Sequence, residues 1–335
     1  MDMDTTAMVP MNQAQASLLP APNLSLTGHS AAVYSLSFSP DGSSMCSGSF
    51  DKTILLWSIG PYCENHNVLA GHKNAVTQVV WSGSGDRIYS SSADKAVHCY
   101  DAMSGELLKR HTSSKGVVNG VAVETGSCNL FASVGDDKKV RLNDARVKRE
   151  LAAVPTKFAN TAVAFSTDNM NVFFGGIDNT VTALDLRQLH AAADDDMMED
   201  GATRVLYELK GHTDTITGLA ASPDGTKLLS NGMDAALIEW DISPFVEGGD
   251  RCVKVFRGHT HNAEKRLLRC AWSRDSEMVS CGSADGVVRV WDEPTGEELY
   301  SLPGHKGGVL DVQFHPNQPV LASASSDKTI LVGEI

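Results

Sequence analysis

The chain has 335 residues, 42% of them hydrophobic and 21% charged, which is an ordinary globular balance and enough length to bury a core without disulfide or metal staples. The formal net charge of -13 excludes a surface that acts throughout as a nucleic-acid clamp, although residues 109–149 hold nine Lys/Arg against four Asp/Glu. No apolar run approaches the ~18 residues of a membrane span, the late first basic residue, Lys52, argues against a secretory or transit signal, and seven cysteines with no C-x-x-C fit reduced thiols rather than a disulfide framework.

In chain order, residues 1–21 are rich in Met, Gln, Ala and Pro without periodicity and are expected to form a disordered N-terminal tail, leaving 22–335 as one folded unit. Asn23–Thr27 has strand character but belongs to no repeat. Gly28-His29 then opens a pattern that returns at Gly71-His72, Gly211-His212, Gly258-His259 and Gly304-His305. An apolar strand follows, as in Val33–Phe38, Val76–Trp81 and Val309–Phe314, and then a turn such as Pro40-Asp41-Gly42 or Pro223-Asp224-Gly225. A second strand leads to an Asp, found at Asp51, Asp94, Asp137, Asp178, Asp234, Asp285 and Asp327, with gaps of 43, 43, 41, 56, 51 and 42 residues. Six residues beyond each stands Trp57, Tyr100, Asn143, Leu184, Trp240, Trp291 or Gly333. The third repeat offers Arg110-His111 where Gly-His is expected, and the fourth has no His near 158–160.

A period near 43 that opens on Gly-His and closes on Trp-Asp resembles the WD-repeat family, whose blades are four-stranded antiparallel sheets around a central channel. The resemblance covers about 22–335 and implies an all-β fold, a seven-bladed WD40 β-propeller. The last repeat supplies only three strands, so the unassigned Asn23–Thr27 is expected to pair with the last blade and close the ring, which removes an exposed sheet edge. Two insertions, 190–203 with its acidic run Asp194, Asp195, Asp196, Glu199 and Asp200, and 243–251, fall between the third and fourth strands of blades four and five. A third, 259–266, precedes the first strand of blade six. Turns alternate between the faces of an antiparallel blade, so the first two share one face and the third lies on the other. Loops on a rigid scaffold are natural carriers of binding.

His29, Ser47, Asp51 and Trp57 in blade one, and His212, Ser230, Asp234 and Trp240 in blade five, have the spacing of the family's structural tetrad; His72, Ser90 and Asp94 give a shorter version in blade two. The resemblance implies that the Asp accepts from the His, the His meets the Ser, and the Ser meets the indole N–H. Repeated catalytic sets would mean several active sites in one ring, so the expected role is structural. His259 and His261, with Cys252 and Cys270, match no zinc spacing, and the acidic run lacks the pattern of a calcium loop. There is no phosphate-binding loop, nucleophile elbow or H-E-x-x-H. No catalytic residue, cofactor, metal or small-molecule substrate is expected.

Several segments stand apart from the generic repeat. They include Gly175-Gly176-Ile177-Asp178-Asn179, Leu229-Ser230-Asn231, Arg251-Cys252-Val253-Lys254-Val255-Phe256, Leu267-Leu268-Arg269-Cys270 and the closing Gly333-Glu334-Ile335. In these the chain resembles the WD-repeat subunits of the U5 small nuclear ribonucleoprotein. That resemblance implies a nuclear, non-catalytic interaction scaffold of the spliceosome, acting in pre-mRNA splicing and docked on the large Prp8-like scaffold. No Lys/Arg cluster reads as a nuclear import signal, so entry with a partner is expected. The leading contact candidates are His261, Asn262, Glu264, Lys265 and Arg266, with a loop that merely caps its own blade as the plain alternative. The basic stretch 109–149 is either a face for RNA or an acidic partner, or an uneven solvated surface. The rival readings are a ubiquitin-ligase substrate receptor and a G-protein β-like signalling scaffold; the latter calls for a long N-terminal helix, which residues 1–22 do not suggest.

Overall fold

The computed structural model describes residues 19–147, 149–187, 205–246, 249–262 and 264–335. The insertion at 190–203 and most of the expected tail lie outside them. Among the described residues, 28 strands form seven four-stranded antiparallel sheets. Blade one runs from channel to rim as Val33–Phe38, Ser44–Ser49, Ile54–Ser58 and Asn65–Leu69. The innermost strands touch their neighbours in an unbroken circle, which makes the fold a seven-bladed propeller.

Blades pack face to face. Cys46, Ile54, Leu56 and Leu69 of blade one meet Val76, Val79, Ile88 and Tyr100 of blade two in one buried cluster. Each fully buried aliphatic side chain contributes roughly 1.5–3 kcal/mol. All seven cysteines are free thiols, and five are buried.

The ring closes as the leftover strand implied. Asn23–Thr27 pairs antiparallel with Thr329–Glu334, from Asn23 opposite Gly333 to Thr27 opposite Thr329. The Glu334 N–H donates to the Pro22 carbonyl at 3.0 Å. Leu19 is buried with Leu26, Trp57, Ile330 and Val332, so packing begins inside the stretch read as tail.

A repeated irregularity stitches the blades together. In blades one to five and blade seven, the innermost pair carries a bulge at the same place, as between Val76 and Gln78. A bulge leaves one residue outside the ladder. In four blades that residue is Thr77, Asn119, Thr161 or Thr217, and its side chain donates to the next blade's backbone: Thr77 to Val118 at 2.6 Å, Asn119 to Asn160 at 3.1 Å, Thr161 to Ile216, and Thr217 to Leu268 at 2.8 Å. The other three seams are bridged by Val79 N–H to Ser35 Oγ at 3.3 Å, Arg269 N–H to Leu310 O at 2.9 Å, and Leu36 N–H to Asp311 Oδ2 at 2.9 Å. Every seam therefore has a hydrogen bond near the axis.

Candidate interaction faces

The structure brings the expected tetrad residues together in blades one, two and five. In blade one, His29 Nδ1 lies 2.9 Å from Asp51 Oδ2, His29 Nε2 lies 2.8 Å from Ser47 Oγ, and the Trp57 indole N–H donates to Ser47 Oγ at 2.8 Å. Burial lowers the His29 pKa against the pull of Asp51, so the ring is neutral. Its one proton then sits on Nδ1 facing the carboxylate, Nε2 accepts from the Ser47 hydroxyl, and that hydroxyl accepts from the indole. Burial pushes Asp51 up, but the Thr53 hydroxyl and His29 outweigh it and hold the carboxyl at about 2. Blade five repeats the arrangement: His212 to Asp234 at 3.1 Å, His212 to Ser230 at 2.7 Å, and Trp240 to Ser230 at 2.7 Å. In blade two, His72 meets Asp94 at 2.9 Å and Ser90 at 2.7 Å, while Tyr100, in place of a Trp, meets His98 at 3.1 Å instead. These carboxylates accept from turn N–H groups and from histidine, which fixes two neighbouring loops. In these three sets both nitrogens of each histidine are already bonded, so the serine has no free base beside it.

Blade seven, which sequence reasoning left out of the tetrads, has His305 at 3.1 Å from Asp327 and 2.9 Å from Ser323. Gly333 stands where the indole would be, and a cavity of about 490 Å³ opens there, lined by Leu24, Leu302, His305, Ser323 and Gly333 among others. The other blades are built differently. His111 does not stand in for the Gly-His histidine: it ends the rim strand Leu107–His111, where blade one has Leu69, and neither ring nitrogen has a partner. Ser114 takes the histidine's place and donates to Asp137 at 2.9 Å. Buried His259 likewise leaves both nitrogens without partners and forms no bond with Asp285. In both blades an Arg four residues after the Asp takes over, Arg141 pairing with Asp137 at 2.7 Å and Arg289 with Asp285 at 2.9 Å. The +4 arginine is legible in sequence and was missed.

One cluster among the described residues, His72, Asp94 and His98, brings three potential metal-ligand atoms within 4.8 Å. It does not fit a metal. The two imidazoles stack 3.7 Å apart at 7°, so their nitrogens do not converge, and both His72 nitrogens are already bonded to Asp94 and Ser90.

The two faces of the ring differ. On the face carrying the turns between third and fourth strands, Tyr62, Met103 and Phe245 are 80%, 93% and 93% exposed. On the opposite face lie the tetrad turns and the loop 259–266. There Asn262, Glu264 and Lys265 are exposed, and His261 and Arg266 are half-buried. The Asn262 side chain accepts from the Glu264 N–H at 3.0 Å, and Arg266 pairs with Glu264 at 2.9 Å. The loop is thus a folded turn rather than a loose strap. The basic stretch 109–149 is divided: Arg141 is buried against Asp137, Arg146 pairs with Asp144 on the Tyr62 face, and Lys115 and Lys138 lie on the tetrad face.

Comparison with known proteins agrees with this architecture. The family described as "WD domain, G-beta repeat" matches residues 21–58, 63–101, 203–241, 250–292 and 296–332. The unmatched stretch spans blades three and four, where no histidine meets the Asp. The chain is 40% identical to the pre-mRNA-splicing factor cwf17 of Schizosaccharomyces pombe, over 95% of this chain and 88% of that protein. It is 40% identical to the U5 small nuclear ribonucleoprotein 40 kDa protein of Dictyostelium discoideum, over 96% and 86%, and 38% identical to the Homo sapiens protein of the same name, over 98% and 88%. The chain belongs to the WD40 repeat family, in the group that includes cwf17 and the U5 small nuclear ribonucleoprotein 40 kDa proteins.

Proposed function

We propose that this protein is a non-catalytic scaffold subunit of the U5 small nuclear ribonucleoprotein, working in the nucleus in pre-mRNA splicing and docking on a Prp8-like scaffold protein. One observation carries the reading: the likeness to proteins of that name and to a splicing factor spans 95–98% of the chain and 86–88% of the relatives, so it extends through every blade. The working unit is the propeller, residues 22–335, against which Leu19 already packs. Its chemistry suits gripping rather than turnover, because the tetrad carboxylates are committed to holding turns. Tyr62, Met103 and Phe245 offer the exposed apolar anchors that dominate protein interfaces. His261, Asn262, Glu264, Lys265 and Arg266 offer a polar contact on the opposite face.

The test is affinity purification of the tagged full chain from nuclear extract, with bound proteins identified by mass spectrometry. The expected result is recovery of the large U5 scaffold and its companions. Recovery of cullin subunits without splicing factors would overturn it.

A further inference from the structure

In every blade, the residue just after the Asp of the tetrad-face turn has a left-handed backbone: Lys52 (φ 74°), Lys95 (71°), Lys138 (60°), Asn179 (61°), Ala235 (54°), Gly286 (82°) and Lys328 (74°). That conformation favours Gly or Asn. Lysine nevertheless takes four of the seven places, and the four blades are consecutive around the closed ring: seven, one, two and three. The adjoining loops add Lys73, Lys115 and Lys306, whose backbone N–H groups donate to Asp94, Asp137 and Asp327 at 2.8, 2.9 and 2.8 Å. The same carboxylates hold the turns: Asp51, Asp94 and Asp327 accept from the N–H of Thr53, Ala96 and Thr329 at 3.0, 3.1 and 2.9 Å. The lysines are therefore presented on a braced surface, which reduces the ordering cost of binding.

All seven lysines are exposed, and none forms an ion pair among the described residues. Lys210, Lys227 and Lys254 elsewhere are paired with Glu208, Glu239 and Glu293. In a chain of net charge -13, this is a local reversal of sign. Phe50 lies in the middle of the arc beside Lys52, 54% exposed and braced edge-on by Tyr34 at 6.1 Å.

We propose that this lysine arc binds single-stranded RNA through its phosphates, with Phe50 as a stacking surface for one base. Most peptide ligands take an open strand edge or a groove, and an acidic peptide needs only a basic cluster, with no use for an aromatic face. This face is made of tight turns and offers point charges around one flat ring, the combination that suits a phosphate chain with bases. The idea rests on the ribonucleoprotein reading above. It draws only Lys115 and Lys138 from the basic stretch 109–149 and takes the rest from three other blades.

The probe is a labelled oligouridylate of about 12 nucleotides, titrated with the full chain across a salt series and read by fluorescence anisotropy. Lys95→Asn, Lys138→Asn and Lys328→Asn together place in these turns the residue that blade four already uses at Asn179. A melting temperature close to wild type checks that the fold is kept. The triple variant is expected to weaken binding about tenfold or more and to lower the slope of log affinity against log salt by about 2. Phe50→Ala is expected to weaken binding about tenfold with the slope unchanged. Arg146→Gln with Arg187→Gln, on the opposite face, is expected to change neither. Absence of salt-dependent binding by the wild type, or an unaltered slope in the triple variant, overturns the proposal. So does equal affinity for an oligoglutamate of matching charge, which would assign the arc to an acidic protein. If nuclear extract yields U5 proteins but the oligouridylate does not bind, this inference alone falls; if the U5 proteins are missing as well, the functional reading falls with it.

Discussion

The guanidinium of Arg269, carried by blade six, donates to the carbonyl oxygen of Thr77 in blade two at 3.2 Å. It also donates to Asn119 O in blade three at 3.3 Å, and so spans the channel that the seams encircle. Asp311 of blade seven is buried beside the same axis and accepts from Leu36. Burial lowers the Arg269 pKa and raises that of Asp311, and the field of each partly offsets the shift of the other.

Arg269→Met removes the two guanidinium bonds across the channel and takes a compensating positive field away from buried Asp311. It is expected to cost about 1.5–3 kcal/mol. For a chain of this length, that is a fall of roughly 2–4 °C in melting temperature. Adding Asp311→Asn should recover part of the loss, because the stranded charge is then gone. Calorimetry of the single and double variants checks this; an Arg269→Met chain melting with the wild type would show that the cross-channel contact contributes nothing.

Asp234→Ala removes the acceptor of four donors: His212 at 3.1 Å, the Thr213 N–H at 2.9 Å, the Ala236 N–H at 3.2 Å and, more weakly, the Thr213 hydroxyl at 3.5 Å. The expected cost is about 2–3 kcal/mol. Asp178 occupies the same place in blade four, but its buried Oδ1 has no partner. Asp178→Ala should therefore cost less than about 1 kcal/mol. Urea unfolding of both variants tests the contrast, and equal losses would mean that the tetrad bonds are not what holds these turns.

Blade number and ring closure were legible because one physical requirement, a turn tied by a buried carboxylate, recurs at a near-constant spacing. Asn23–Thr27 was legible by remainder, since the last blade supplied three strands and one strand was left over. The substitutes were harder to see. Arg110-His111 looks like Gly-His, yet the rim strand of blade two runs on to His111, which therefore fills an apolar position. His259 sits correctly after Gly258, but 26 residues rather than 22 separate it from Asp285, and the excess loop carries the pair apart. The lysine arc was invisible because its members come from four repeats, and only the ring makes them neighbours. Nor does a linear reading show that Arg141 pairs with Asp137 of the tetrad-face turn while Arg146, five residues on, sits on the Tyr62 face.

A chain beginning at Gly28 would lack the strand that pairs along Thr329–Glu334, together with the buried Leu19 and Leu26. Losing each buried leucine costs about 2–5 kcal/mol, and the bared strand becomes an open edge able to pair with another copy. The truncated chain is expected to melt at least about 5 °C lower and to self-associate. Size-exclusion chromatography with a melting curve checks this. A monomer of unchanged stability would show that the ring holds without its closing strand.

Three buried imidazoles titrate far below the ordinary value of 6.5, His98 at about 3 and His111 and His259 at about 4, with burial the chief cause in each. The unfolded chain takes up these protons near pH 6.5, while the folded chain refuses them until the pH is much lower. Through that window the unfolded state binds more protons, so the stability contributed by the neutral rings is intact above about pH 6.5 and is lost as the pH falls toward 4. Asp51, Asp234 and Asp327, held at about 2 against 3.8, add a second loss below about pH 4. His111→Leu isolates one component, because leucine fills the matching position in blades one and four, as Leu69 and Leu209. The variant should melt above the wild type throughout, since it removes a buried ring with no hydrogen-bond partner. Its advantage should grow by about 2 kcal/mol between about pH 7.5 and pH 5, at 1.36 kcal/mol per unit of displaced titration. Parallel stability profiles for the two chains would mean that His111 takes up its proton in the fold at the same pH as in the unfolded chain, so that burial does not hold the ring neutral.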